Sequence, residues 1–194
     1  MRRALSWLLV GIVLAATWPA GPAAADEIEV TDARLVAGDE GIVLAADFEF
    51  DLTPRLEDAL GKGVPLYFVV EFECLRSRWY WFDERIGTAS LSTRLSFHAL
   101  TRTYRLTTGA LHQSFATLAE ALRALARVRA WQVLPSGALS PDTTYVAYVR
   151  MRLDTTQLPK PFQVSALASR EWNLASQWKR WEVNGDLAQA EAAR

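Results

Sequence analysis

The chain has few of the residues that build metal centres and disulfides. Its 194 residues include one cysteine, Cys74, and two histidines, His98 and His112. A single cysteine excludes an internal disulfide and a cysteine-based zinc site. Two histidines disfavour a histidine-rich metal site. We therefore expect the protein to use no metal and no cofactor.

Catalytic motifs are equally scarce. The sequence contains no G-x-S-x-G elbow, no glycine-rich phosphate loop, no H-E-x-x-H and no C-x-x-C. His98 and His112 each lie near a serine, so a hydrolase using one of them is an alternative. Neither has an evident carboxylate to orient it, and we predict that the protein is not an enzyme. Because the chain is acidic overall, with a net charge of −1, we also expect no nucleic-acid partner.

The one long apolar run lies at the N-terminus. A basic MRR precedes apolar residues 5–17, and small residues follow at Ala23 and Ala25. This pattern is typical of a cleaved secretory signal, and the run is short for a membrane span of about 20 residues. We predict a signal peptide over 1–25 and export to the periplasm. An uncleaved membrane anchor is the alternative.

Charge is unevenly distributed along the chain. Residues 26–75 contain 13 acidic and 3 basic side chains, whereas residues 76–129 contain 3 acidic side chains and 9 arginines. Opposite charges facing each other across strands are favourable by about 0.2–1 kcal/mol, so pairing of acidic with basic strands is the preferred interpretation. The other interpretation is a basic surface for an anionic partner, such as anionic lipid.

Alternation of apolar and polar residues predicts amphipathic strands along most of the chain. The clearest segments are 41–52, 64–75 and 143–154, and shorter ones are 28–36, 92–100 and 102–109. Cys74 lies on the apolar face of its strand, and we expect it to be buried as a small hydrophobic residue. The apolar phase shifts after Val30, which predicts a β-bulge.

Helix signals occur twice. Thr117 and Glu120 have the spacing of a capping box at the start of a helix over 117–128. Thr53 and Pro54 predict the start of a two-turn helix that a following glycine ends.

These elements together predict the fold. Many amphipathic strands with short connections and two short helices indicate a mainly β protein. We predict an antiparallel, immunoglobulin-like β-sandwich forming one domain over 26–183, followed by a flexible tail over 184–194. An open sheet covered on one side by the second helix is the alternative architecture.

Two aromatic clusters supply the candidate binding residues, which are Arg76, Arg78, Trp79, Trp81, Trp172, Trp178 and Trp181. Aromatic residues and arginine dominate binding hot spots, but they also fill large cores. A strand that is apolar on both faces is usually covered on both faces, so structural packing is the preferred interpretation of the first cluster and an exposed binding patch is the alternative. The second cluster can likewise pack onto the sandwich. Between the clusters, the two prolines of QLPKPF predict an extended crossover, with a rigid docking loop for a partner as the alternative.

Several segments together resemble a proteobacterial envelope family catalogued as domain of unknown function 4390. They are VPLYFVVEFE, RWYWFDE, YRLTTGALHQSFATLAEAL, MRLDTTQLPKPFQV and WNLASQWKRW, and the resemblance extends over about residues 28–181. It implies a single-domain exported protein without an established activity or site. Some members are encoded near a nitrogen-responsive sensor kinase pair, which would fit an accessory to an envelope sensor.

The sequence thus predicts a periplasmic, non-enzymatic binding or accessory protein that engages an envelope membrane protein. A lipid- or glycan-binding sandwich that uses the basic residues is the first alternative. A hydrolase that uses His98 or His112 is the second.

Overall fold

A computed structural model describes residues 27–78 and 83–187, without the side chains of residues 167 and 168. Outside the described residues lie the predicted signal peptide over 1–25, the candidate binding residues Trp79 and Trp81, and residues 188–194 of the predicted tail.

Strands predominate in the described part of the chain. The strands are β1 (Glu29–Gly38), β2 (Gly41–Glu49), β3 (Leu66–Arg76), β4 (Glu84–His98), β5 (Thr103–Thr108), β6 (Leu111–Phe115), β7 (Arg127–Pro135), β8 (Thr144–Leu153) and β9 (Lys179–Asn184). The helices are α1 (Pro54–Gly61), α2 (Leu118–Leu125) and α3 (Lys160–Ala168), with 3₁₀ turns at Thr155–Gln157 and Arg170–Trp172.

The strands form two antiparallel sheets. One sheet has the order β1-β2-β7, and the other has the order β6-β5-β4-β3-β8-β9. The predicted mainly β, antiparallel class is therefore confirmed, and the arrangement is sandwich-like. The finer immunoglobulin-like assignment stays a prediction.

The core lies where apolar faces of both sheets meet. Leu44 of β2, Phe72 of β3 and Val149 of β8 are almost fully buried and belong to one continuous cluster. A Cβ atom added at Gly87 of β4 would collide with the Leu134 side chain of β7. Glycine at this position therefore allows the two sheets to approach closely.

The caps of α1 and α2 have the predicted chemistry. Thr53 accepts a hydrogen bond from the backbone N–H of Leu56 at 3.2 Å. At α2, Thr117 accepts from the Glu120 N–H at 3.2 Å, and the Glu120 carboxylate accepts from the Thr117 N–H at 3.3 Å. These contacts satisfy N–H groups that a helix start leaves without intrahelical partners.

Two expectations about helices need correction. The structure has a third helix, α3, where the two prolines predicted an extended crossover. Pro161 lies in its first turn, where the missing N–H of proline costs no intrahelical hydrogen bond. The second predicted helix is shorter than 117–128, because α2 ends at Leu125 and β7 begins at Arg127.

The outer face of the six-stranded sheet is polar, and it positions the candidate site. On β3, Phe72 and Cys74 point into the core, so that the alternating Glu71 and Glu73 point outwards. Glu71 lies directly opposite Arg150 on β8. The outer face thus brings acidic residues of the first half of the chain beside arginines of the second.

Candidate functional site

The two arginines of the first candidate cluster lie at the connected end of the β3–β4 hairpin, where β3 ends and β4 begins. Arg76 and Arg78 both donate hydrogen bonds to the carboxylate of Glu84 at the start of β4. Burial would raise the pKa of Glu84, but the hydrogen bonds and charges of both arginines outweigh it and lower that pKa. Both guanidinium groups are therefore already engaged within the fold by one carboxylate.

Tryptophans 172 and 181 of the second cluster face the interior. Trp172 is only 1% exposed, and its ring packs on Phe162 with 5.7 Å between ring centroids. This placement removes Trp172 from the candidate surface, because a partner cannot reach it without unfolding the segment. Trp181 is half-buried against the core and lines a cleft of about 330 Å³ with Arg34 and Leu35.

Of the four tryptophans that the structure describes, only Trp178 is exposed, at 37%. It immediately precedes β9 and lies beside β8. The Arg150 guanidinium lies 4.5 Å from its ring centroid, within range of a cation–π contact. Tyr148 meets the same ring edge-on at 6.4 Å between centroids. Trp178 is thus both accessible and fixed in orientation.

Glu71 fixes the arginine that stacks on this ring. Its carboxylate accepts hydrogen bonds from Arg150 Nε and, at 3.0 Å, from Arg152 Nε. Burial would raise the pKa of Glu71, but the hydrogen bonds and charges of both arginines outweigh that effect and lower it. We call Glu71, Tyr148, Arg150, Arg152 and Trp178 the Trp178 surface.

An open groove of about 450 Å³ borders the Trp178 surface. It runs between the 27–30 segment and the 177–179 segment. Lys179 closes its floor by donating to the carbonyl oxygens of Val30 and Thr31, both at 3.0 Å. Glu27 accepts a hydrogen bond from Gln177 at 3.2 Å, and Glu29 is exposed. An aromatic and arginine-rich surface therefore lies next to an acidic groove.

The histidines and the cysteine lie elsewhere. His98 and His112 are exposed on β4 and β6, and neither contacts a carboxylate of the described residues. Cys74 is fully buried on the inner face of β3, as expected, and burial raises the pKa of its thiol to about 11. Residues 27–78 and 83–187 contain no group of three potential metal-ligating side chains.

The sequence reasoning missed four residues of the Trp178 surface, which are Glu71, Tyr148, Arg150 and Arg152. The alternation along 143–154 did place Arg150 on the polar face of its strand. It could not reveal that β9 follows β8 in the sheet and brings Trp178 over that arginine. The contact depends on the pairing of β8 with β9, which lie about thirty residues apart in the sequence. No local pattern of residues indicates such a pairing.

Comparison with protein families gives a match over most of the chain. A family model described as domain of unknown function (DUF4390) matches residues 25–182. No curated protein and no solved structure matches the chain. Within the described residues, no helix is long and apolar enough to cross a membrane. Because the family model covers most of its length, the chain belongs to the DUF4390 family of proteins of unknown function.

Proposed function

We propose that the protein is an exported, non-enzymatic accessory protein that binds an envelope membrane protein through the Trp178 surface. One observation supports this proposal above the others. Trp178 is exposed, yet Arg150 stacks on it and Glu71 holds Arg150 in place. Tryptophan, tyrosine and arginine dominate binding hot spots, and a side chain already held in its bound orientation loses little entropy on association.

The placement of the other candidate residues favours the same surface. Trp172 is in the core, and Arg76 and Arg78 are both held in ion pairs with Glu84. The acidic groove beside Trp178 adds a second recognition element, because it complements basic side chains of a partner. We therefore expect the partner to present an apolar or aromatic side chain next to lysine or arginine.

Location and pathway remain proposals with separate support. Export to the periplasm is proposed from the leader pattern of residues 1–25. Association with an envelope sensor kinase is proposed from the family resemblance alone. A membrane protein partner is consistent with export to the periplasm and with association with a sensor kinase. Identifying that partner would test both proposals.

The test is affinity capture of the tagged protein from chemically crosslinked envelopes, comparing wild type, Trp178→Ala and Leu100→Ala. Leu100 is fully exposed at the β4–β5 turn, so its replacement is a matched loss of exposed apolar surface. We expect one membrane protein to be captured by wild type and Leu100→Ala but not by Trp178→Ala. Circular dichroism checks that each variant is folded. Equal capture by all three folded proteins would refute the proposal.

A further inference from the structure

Half-buried arginines in the described residues are Arg76, Arg78, Arg94, Arg105, Arg150 and Arg152. Four of them pair with the carboxylate of Glu71 or Glu84. The other two, Arg94 and Arg105, form no ion pair with a described residue, and each has a buried Nε without a hydrogen-bond partner. This contrast separates them from the other half-buried arginines of the described residues.

The two unpaired arginines are neighbours on the outer face of the six-stranded sheet. Arg94 on β4 lies opposite Thr107 on β5, and Ser96 lies opposite Arg105. Arg94 and Arg105 are therefore diagonal neighbours, a relation that places Cβ atoms about 7–8 Å apart or slightly closer. Leu95 and Leu106, which follow them in sequence, are buried on the opposite face.

This arrangement is unfavourable for the isolated protein. Two like charges lie diagonally across adjacent strands, and each buried N–H without an acceptor costs about 1–3 kcal/mol. The sequence contains 22 acidic residues, and on the same sheet face Glu71 forms ion pairs with two arginines. An anion from outside the chain could reach the accessible part of each half-buried guanidinium group and would supply the missing charge.

The number of donors indicates which anion fits. One guanidinium fork can satisfy both oxygens of a carboxylate, whereas two forks with an adjacent hydroxyl suit an anion with three or four oxygens. Thr107 lies opposite Arg94 on the same face, and His112 lies opposite Thr107 on β6. We propose that Arg94, Arg105 and Thr107 form a binding site for a phosphate group.

This phosphate site is separate from the Trp178 surface, because β3 lies between β4 and β8 in the sheet. It extends the protein's function beyond the proposed protein partner, and either proposal can fail while the other holds. Phosphate can come from a soluble phosphate monoester or from a lipid headgroup. Both sources present the same phosphate group to the two arginines, and the two arms of the experiment distinguish them.

The first arm is titration of the full exported chain with inorganic phosphate, followed by calorimetry and by Tm. We expect saturable binding that raises Tm, because a ligand that binds only the folded state stabilises it. Arg94→Gln and Arg105→Gln should each weaken binding at least tenfold. Arg180→Gln is the matched control, because Arg180 is exposed on the same sheet face in β9 and should bind like wild type.

The second arm is sedimentation with vesicles of phosphatidylcholine, with and without phosphatidic acid. Binding to phosphatidic acid vesicles alone, lost in Arg94→Gln and Arg105→Gln, would assign the site to a lipid headgroup. Binding of inorganic phosphate with the same losses would assign it to soluble phosphate. The proposal would be overturned if neither arm showed saturable binding at about 1 mM phosphate. It would also be overturned if Arg94→Gln and Arg105→Gln weakened binding no more than Arg180→Gln does.

Folding of the variants is a control in both arms. Each glutamine substitution removes an unpaired charge, so we expect an unchanged or higher Tm in phosphate-free buffer. If a glutamine variant fails to fold, Arg94→Lys and Arg105→Lys replace it. They keep the charge and the aliphatic stem but lose the fork, and we again expect weakened phosphate binding. Undiminished binding by both lysine variants would overturn the proposal.

Discussion

Replacing Glu71 with glutamine should separate the electrostatic contribution of the Trp178 surface from its shape. Glu71→Gln keeps the size of the side chain and removes the charge that both Arg150 and Arg152 contact. Hydrogen bonds to charged groups contribute about 1.5–3 kcal/mol, against about 1 kcal/mol for neutral ones. Both arginine side chains are 34% exposed, which weakens such pairs through solvent screening. We expect a loss of about 1–2 kcal/mol in the free energy of unfolding.

The pH dependence of this loss is specific. The folded protein lowers the pKa of Glu71 below its usual value of 4.5. A lowered pKa gives stabilisation that is present above pH 4.5 and disappears as the pH falls through the folded-state pKa. The stability difference between wild type and Glu71→Gln should therefore be largest near neutral pH and should shrink below about pH 4.5.

The assay is urea unfolding from pH 7 to pH 3, with Glu73→Gln as the matched control. Glu73 lies on the same strand and the same face but forms no ion pair with a described residue. We expect its replacement to change stability by no more than about 0.5 kcal/mol. A loss in Glu71→Gln that is constant over the pH range, or equal to that of Glu73→Gln, would refute the reasoning.

Three further predictions concern the fold. The Cys74 thiol should resist thiol reagents in the native state, and Cys74→Ser should cost about 1–3 kcal/mol because its hydroxyl would be buried without a partner. Gly87→Ala should destabilise the protein by about 1–3 kcal/mol through collision with Leu134, whereas Gly61→Ala, which meets open space, should not, as thermal unfolding would show. Thr117→Ala should lose about 0.5–2 kcal/mol by removing the α2 cap, measured by chemical unfolding.

Local signals in the sequence predicted much of the fold, because they depend on contacts close in the chain. Alternation identified β2, β3 and β8, and the phase shift after Val30 matches the register shift between Val30 and Asp32 in β1. The capping residues Thr53 and Thr117 were placed correctly for the same reason. Cap geometry and side-chain alternation are properties of a few consecutive residues.

Elements with weaker local patterns were missed. Strand β6 is short and almost entirely exposed, so it has little apolar alternation to detect. Strand β7 follows α2 after one residue, and Val128 continued the apolar stripe of the helix. The candidate site could not be predicted because it depends on long-range pairing. The contact of Trp178 with Arg150 requires β9 to lie beside β8.

The central claim is that Trp178 belongs to a binding surface for an envelope membrane protein. The most direct test places a photoreactive residue at position 178 in intact cells and, separately, at position 100, which is even more exposed. We predict a crosslinked adduct with one membrane protein from position 178 and none from position 100. The absence of an adduct at position 178, or the same adducts from both positions, would contradict the claim.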